Sequence, residues 1–210
     1  MTKKEIEKPL IYPLFSKVVY ALNTLPGEKE IERILKEFKN KKFKNVSQGS
    51  SMSEDIHVLD SKNLKSLKQM LEQEIKNYTN SFLKYKNNFQ ITTSWFTNTG
   101  KDGYSEFHMH SNAMFSGCFY VKANPETDKI SFSNFNSPTW LLEPEEYNIY
   151  NCRQMNFDVY PGLLILFPAE MFHRVKLNVN SEERISLAFN VIPVGKFGNS
   201  DSSLNIIKCK

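Results

Sequence analysis

The chain changes from helical to alternating periodicity near residue 89. Before that point apolar positions recur every three or four residues, which predicts amphipathic helices over residues 28–39 and 61–83. The second helix carries one continuous apolar stripe, made of Leu64, Leu67, Leu71, Ile75, Tyr78 and Phe82. Residues 10–20 are typical of a short strand with an edge proline, and residues 46–55, rich in serine and glycine, of a loop.

From residue 89 onward apolar and polar residues alternate in short runs. These runs predict eight or nine strands, over residues 90–97, 105–111, 115–122, 129–133, 147–151, 155–159, 163–167, 173–178 and 184–192. Short strands at this spacing indicate a β-sandwich or jelly roll, and the helices are expected to buttress one outer face. The predicted fold class is therefore mainly β with supporting helices (α+β).

The sequence shows no internal repeat and no linker, so we expect residues 1–210 to form a single domain. Within it, residues 1–89 would support a β core over residues 90–192, and residues 193–210 would form a polar tail. With 40% apolar and 24% charged residues the composition is that of an ordinary globular protein. The pattern does not predict an oligomeric state.

The cysteines and the hydropathy of the chain indicate the cellular compartment of the protein. The three cysteines are widely spaced without a CxxC motif, which favours a reducing compartment, and we expect a cytoplasmic protein. No apolar run approaches the ~20 residues that cross a bilayer, and the N-terminus does not resemble a signal peptide, so no membrane partner is expected. The net charge is +4, and the lysines of residues 36–44 indicate a solvated helix end rather than a nucleic-acid surface.

Three of the four histidines fall in the β half of the chain. His108 and His110 are two residues apart, so on a strand both rings project from one face, and His173 begins a later strand. Three imidazoles that converge from two strands suit a borderline divalent metal such as iron, zinc or copper. The fourth, His57, has no candidate partner nearby in the sequence. The alternative is that His108 and His110 are an ordinary exposed pair.

Arg184 and Ser186 supply a second indication of a site. They share one face of the last predicted strand, and an arginine that points into a barrel is unfavourable without an anionic partner. A dicarboxylate could be that partner, because a guanidinium binds a carboxylate through two hydrogen bonds. The alternative is that Arg184 points outward and pairs with Glu182 or Glu183.

Five segments together carry a family resemblance. They are HMH at 108–110, FSGCFYV at 115–121, GLLILFP at 162–168, HRV at 173–175 and RISLAFN at 184–190. In this order they resemble the iron(II)/2-oxoglutarate-dependent oxygenases, and more narrowly a branch of short oxygenases from bacteria and their phages related to prolyl hydroxylases. Residues 47–50 and the helix after them also resemble the N-terminal half of that branch. The resemblance implies a double-stranded β-helix, a distorted cupin-like jelly roll.

The resemblance also implies roles for individual residues. His108 matches the first iron ligand and His173 the distal one, while Arg184 and Ser186 match the pair that holds the remote carboxylate of 2-oxoglutarate. Most of the superfamily has a carboxylate as the third ligand where this chain has His110. We therefore expect His110 to take the place of that carboxylate, which gives three histidine ligands, His108, His110 and His173. In the alternative register His110 would be the first ligand and Asn112 would complete the site.

The implied reaction is hydroxylation of an unactivated C–H bond of a peptide or small molecule, with release of succinate and CO2. It would need Fe(II), 2-oxoglutarate and O2, with ascorbate as a stimulant. Tyr120, beside Cys118 and Ser116, would line the cosubstrate pocket. The alternative is that these three residues only pack the core. Trp140, in the loop over residues 134–146, is a candidate cover for the substrate. Two alternatives are a three-histidine cupin-type dioxygenase that needs no 2-oxoglutarate and a jelly-roll binding module without enzymatic activity.

Overall fold

The computed structural model describes residues 12–134 and 142–207. Its elements in chain order are β1 (Tyr20–Asn23), α1 (Glu28–Lys39), β2 (Phe43–Ser47), β3 (Ser50–Ser53), α2 (Lys65–Lys76), β4 (Asn88–Thr99), β5 (Phe115–Lys122), β6 (Lys129–Ser133), β7 (Gln154–Asp158), β8 (Leu163–Pro168), β9 (Phe172–Val175), β10 (Arg184–Phe197) and β11 (Leu204–Ile206). Short 3-10 turns lie at Val58–Asp60, Lys62–Leu64 and Ser200–Ser202, and a π-helical stretch follows α2 over Asn77–Phe82.

The strands form two antiparallel sheets. The major sheet has the order β1-β8-β5-β10-β4-β3-β2, with β11 paired to one end of β10, and the minor sheet has the order β7-β6-β9. One apolar cluster joins the helices to the major sheet and includes Leu71, Phe96 and Leu187; a second includes Ile130 of the minor sheet and Ile165 of the major sheet. The expected jelly roll with helices on one outer face is confirmed, and it is a double-stranded β-helix.

The helix α2 buries the predicted apolar stripe over most of its length. Leu67, Leu71 and Ile75 are buried, and Tyr78 follows them at 1% exposure. The prediction fails at Phe82, which is 59% exposed. The backbone widens to π-helical turns after α2, and a wider turn shifts each later side chain around the helix axis. None of the described helices is long and apolar enough to span a membrane.

Several predicted loops and strands differ from the structure. Residues 46–55, expected to be a loop, contribute to the β2–β3 hairpin, because β3 pairs with β4 and this long-range pairing outweighs the weak strand preference of its serines. Residues 105–111 are not a regular strand, since His108 makes only a single bridge to His173. Residues 147–151 form a turn, in which asparagine side chains bind nearby backbone groups.

The two ends of the described chain also depart from the prediction. The first strand begins only at Tyr20, after a turn at residues 14–15, and residues 10 and 11 lie outside the described residues. The expected polar tail contains β11, which pairs with the far end of β10 from Gly195 to Phe197. Backbone pairing thus extends the major sheet into a segment whose side chains are mostly exposed.

Candidate metal centre

The three β-half histidines meet at one end of β9. The backbone of His108 pairs with that of His173 through two N–H to oxygen bonds of 3.0 and 2.9 Å, and the N–H of His110 donates to the carbonyl of Ala169 at 2.9 Å. The segment that carries His108 and His110 is therefore held against β9 by its own backbone. Side-chain ligand atoms of all three lie within 4.8 Å of one another.

Backbone carbonyls fix the orientation of two of the rings. The Nδ1 atom of His108 lies 2.9 Å from the carbonyl oxygen of Glu106, and Nδ1 of His173 lies 2.9 Å from that of Met171. A carbonyl oxygen can only accept a hydrogen bond, so each Nδ1 carries the proton and each Nε2 presents a lone pair. Such a contact orients the free nitrogen toward a metal.

Aromatic packing surrounds two of the three rings, those of His110 and His173. Trp95 stacks on the ring of His110 with centroids 5.7 Å apart, and Phe167 packs edge-on against His173 at 4.6 Å. Burial, with a smaller effect of His108, lowers the pKa of His110 to about 4 and that of His173 to about 3. Both imidazoles are therefore uncharged at neutral pH, as metal coordination requires.

The donor set fits a divalent transition metal. The Nε2 atoms of His110 and His173 are 3.3 Å apart, which is roughly the separation of two adjacent ligands each about 2.1 Å from a shared ion. Three imidazole nitrogens suit iron, zinc or copper. Asn112, the alternative third ligand, sits in an exposed turn with φ of 57° and is not among the described residues that line the adjacent cavity.

The histidines open onto a cavity of about 510 Å³ that lies between the two sheets. Cys118, Tyr120 and Ser186 line its buried part, as the sequence predicted for the first two, and Val46 and Ile56 line its exposed part. Ser116 instead binds Asn190 and is absent from the described cavity lining. Burial raises the pKa of Cys118 to about 11 and that of Tyr120 well above its ordinary value, so both stay protonated.

Arg184 points inward, but its anionic partner belongs to the chain. Its Nη1 donates to Oδ1 of Asp128 at 2.8 Å and its Nη2 to the carbonyl of Lys176 at 2.9 Å. The side chains of Arg184 and Asp128 are only 2% and 3% exposed. The alternative of an outward Arg184 is therefore wrong, and Glu182 pairs with Lys122 instead.

Asp128 was missed by the sequence reasoning. It lies 56 positions before Arg184, at the end of the turn that leads into β6, and no local pattern links the two residues. The signal that could have found it is the inward arginine itself, which requires a buried carboxylate somewhere in the fold. Trp140, the candidate cover, lies outside the described residues.

Comparisons with known proteins relate this chain to others through part of its sequence and through its fold. Residues 93–190 match the family model described as "Putative 2OG-Fe(II) oxygenase". HygX from Streptomyces hygroscopicus, solved with nickel, 2-oxoglutarate and hygromycin B, has a TM-score of 0.62 at 11% identity over 83% of this chain and 82% of that one. A prolyl-4-hydroxylase from Pseudomonas putida has a TM-score of 0.56 at 12% identity over 82% of this chain and 91% of that one.

A third solved structure extends the likeness to a peptide-bound enzyme. It is a prolyl hydroxylase in complex with a hypoxia inducible factor peptide fragment from Trichoplax adhaerens, with a TM-score of 0.57 at 12% identity over 82% of both chains. The curated proteins include no match to this chain. The family model matches residues 93–190, slightly less than half of the chain, and the solved structures share its fold, so this chain is similar to the iron(II)/2-oxoglutarate-dependent oxygenases.

Proposed function

We propose that this protein uses Fe(II), 2-oxoglutarate and O2 to hydroxylate an unactivated C–H bond of a peptide or small molecule, with release of succinate and CO2. The observation that carries the proposal is the cluster of His108, His110 and His173 beside the cavity between the sheets. The family match over residues 93–190 supports the cosubstrate, and ascorbate is expected to stimulate turnover.

Each residue of the site has a distinct task in this proposal. His108, His110 and His173 hold the metal, while the carbonyls of Glu106 and Met171 keep two of the rings in the correct tautomer. Iron with its cosubstrate supplies the oxidising power that breaks the C–H bond. The chain positions the reactants and limits the access of water.

The buried part of the cavity is suited to the cosubstrate. Tyr120 and Ser186 lie opposite each other on the paired strands β5 and β10, and their hydroxyl groups can bind the remote end of a 2-oxo acid. Arg184, the predicted anchor of the remote carboxylate, is two residues from Ser186 on the same face of β10, where its guanidinium pairs with Asp128.

The metal site differs from the usual facial triad in its charge. A set of two histidines and one carboxylate would cancel one unit of the charge of Fe(II), whereas three neutral imidazoles cancel none. An Fe(II) ion held by these three residues would therefore keep its double positive charge. This charge favours an anionic chelating group, such as the 1-carboxylate and 2-oxo group of the cosubstrate.

The exposed part of the cavity indicates an apolar target group. Val46, Met52 and Ile56 of the β2–β3 hairpin and the following segment line this opening together with Trp95. Apolar side chains favour an aliphatic or aromatic group of the substrate over a charged one. Hygromycin B is bound by HygX and a peptide by the prolyl hydroxylase from Trichoplax, so the fold accommodates both substrate classes.

We also propose a reducing, cytoplasmic location in a bacterium or phage-infected cell. Cys118 and Cys152 are both unpaired thiols in the described part of the chain, as expected where disulfides do not persist. The family resemblance supplies the bacterial and phage origin. A thiol titration of freshly prepared native protein tests the redox part, and a disulfide involving either residue would contradict it.

The experiment that tests the function is an anaerobic Fe(II) titration with and without 2-oxoglutarate. Wild type should bind one iron per chain, develop a weak visible charge-transfer band when 2-oxoglutarate is added, and form succinate once O2 is admitted. His110→Ala and His173→Ala should lose iron affinity by about tenfold or more. His57→Ala is the matched control, because His57 is exposed and does not belong to the histidine cluster.

The possible outcomes separate the candidate functions. Iron bound equally well by wild type and the two cluster variants would overturn the assigned metal site. Iron binding without the band and without succinate would instead favour a three-histidine dioxygenase that binds its substrate directly. The observation that favours this second function is the set of three histidines without a carboxylate ligand.

A further inference from the structure

Asp128 is a buried carboxylate that the proposed reaction does not use. One of its oxygens accepts the Nη1–H of Arg184 at 2.8 Å, and the other accepts the backbone N–H of Asn124 at 2.8 Å. The backbone N–H of Asp128 donates in turn to the carbonyl of Asn124 at 2.9 Å. The carboxylate is therefore fixed by the turn before β6 and is not a flexible surface group that happens to reach Arg184.

This pairing changes the electrostatics of the remote end of the cavity. Arg184 carries the positive charge that a dicarboxylate cosubstrate would need there, and Asp128 cancels it within hydrogen-bonding distance. Both side chains are almost completely buried, so water screens neither charge. Arg184 is not among the described residues that line the cavity, whereas Tyr120 and Ser186 are.

We propose that Asp128 is a specificity-determining residue that neutralises Arg184, so that the pocket selects a 2-oxo acid by its metal-binding head and not by a charged remote end. The inference rests on the proposed function. It follows that a 2-oxo acid with an uncharged remote end binds nearly as well as 2-oxoglutarate. Asp128 acts through Arg184, as a positioning residue, and does not itself contact the reacting atoms.

The structure also predicts what removal of the Asp128 charge does. Asp128→Asn keeps an oxygen for the N–H of Asn124 but leaves the guanidinium without a counter-charge. A buried cation without a partner is unfavourable, and the remote carboxylate of 2-oxoglutarate would then relieve it. The variant should therefore gain affinity for 2-oxoglutarate and should gain none for an uncharged analogue.

The test compares 2-oxoglutarate with 2-oxohexanoate, which has the same 2-oxo acid head and an uncharged end. Dissociation constants are measured anaerobically on the Fe(II) protein from the charge-transfer band, and each acid is also tested for its effect on the melting temperature. Wild type should prefer 2-oxoglutarate by less than about tenfold. Asp128→Asn should raise that preference by about tenfold or more, which corresponds to about 1.4 kcal/mol.

The matched control is Asp158→Asn. Asp158 is an exposed carboxylate on β7 that pairs with Lys129, the residue next to Asp128, and it makes no contact with Arg184. Its preference between the two acids should equal that of wild type. The melting temperature adds a second readout, since 2-oxoglutarate should stabilise Asp128→Asn more than it stabilises wild type.

Each outcome bears on one proposal. A rise of less than tenfold in the preference of Asp128→Asn would overturn the role of Asp128 and leave the oxygenase function intact. If the variant does not fold, the wild-type preference decides alone, and a value above tenfold overturns the proposal. Iron that binds neither acid in any variant would instead overturn the proposed function itself.

Discussion

The ion pair between Arg184 and Asp128 makes a quantitative prediction about stability. Arg184→Met removes the cation and leaves the buried Asp128 carboxylate without a counter-charge, although the N–H of Asn124 still donates to it, and such a loss typically costs about 3–5 kcal/mol. Solvent screening reduces this free-energy cost only slightly, because both side chains are at most 3% exposed. The carbonyl of Lys176 also loses its donor, a further cost of about 1–3 kcal/mol if no water replaces it.

The double variant Arg184→Met/Asp128→Asn separates the charge from the other contributions. It contains neither charge, and the new amide oxygen still accepts the N–H of Asn124. Its cost should therefore be smaller than the sum of the two single variants, with a coupling energy of at least about 1.5 kcal/mol. Urea denaturation followed by tryptophan fluorescence measures all four proteins, and the slope of each transition checks that the unfolding stays two-state.

Additivity would refute this reasoning. If the double variant costs the sum of the single variants to within about 0.5 kcal/mol, the two charges do not interact in the folded protein. Apo protein is required for the measurement, because bound 2-oxoglutarate would interact with the variants to different extents.

Two other predictions concern the core and the helix α1. Gly117→Ala should lower the urea midpoint, because the added methyl group would overlap the ring of Phe189, and overpacking costs about 1–3 kcal/mol; an unchanged midpoint would show that the ring of Phe189 moves aside without cost. Lys41 pairs with both Glu37 and Asp55. Burial raises the pKa of each carboxyl, but hydrogen bonds, including one from Lys41 to each, outweigh it and lower both pKa values below the ordinary 4.5 and 3.8. Their stabilisation is thus present above these values and lost as pH falls through the lower folded pKa values, and Lys41→Met should flatten the acid side of the stability profile; an unaltered profile would contradict the ion-pair assignment.

Local periodicity was sufficient to predict some of the regular elements. The helix α1 spans the predicted residues because its apolar side faces the core, and β5 and β6 match their predicted bounds because both are bounded by turns. The three histidines were predicted to cluster from a strand spacing that residues 105–111 do not have. They meet because the backbone of His108 pairs with that of His173 on β9.

Long-range pairing explains what the sequence could not predict. The serines of β3 have little strand preference, and β3 exists because β4 supplies its hydrogen bonds. The partner of Arg184 is similarly a residue 56 positions away whose own neighbourhood shows only a turn. A one-dimensional pattern indicates that an inward arginine needs an anion, but the fold decides which anion lies within reach.

The β2–β3 turn contacts the segment that leads to His108. This contact affects how much of the chain is needed to hold the histidine cluster in place. Gly49 and Gly103 approach so closely that a Cβ atom on Gly49 would lie 2.7 Å from the Cα of Gly103, and the carbonyl of Gln48 accepts the N–H of Tyr104. Residues 93–190 define the family match, yet the loop that carries the candidate metal ligand His108 contacts a hairpin that precedes them. Transferring only the matched segment to another scaffold would transfer the three histidines without the β2–β3 hairpin that holds their loop in position.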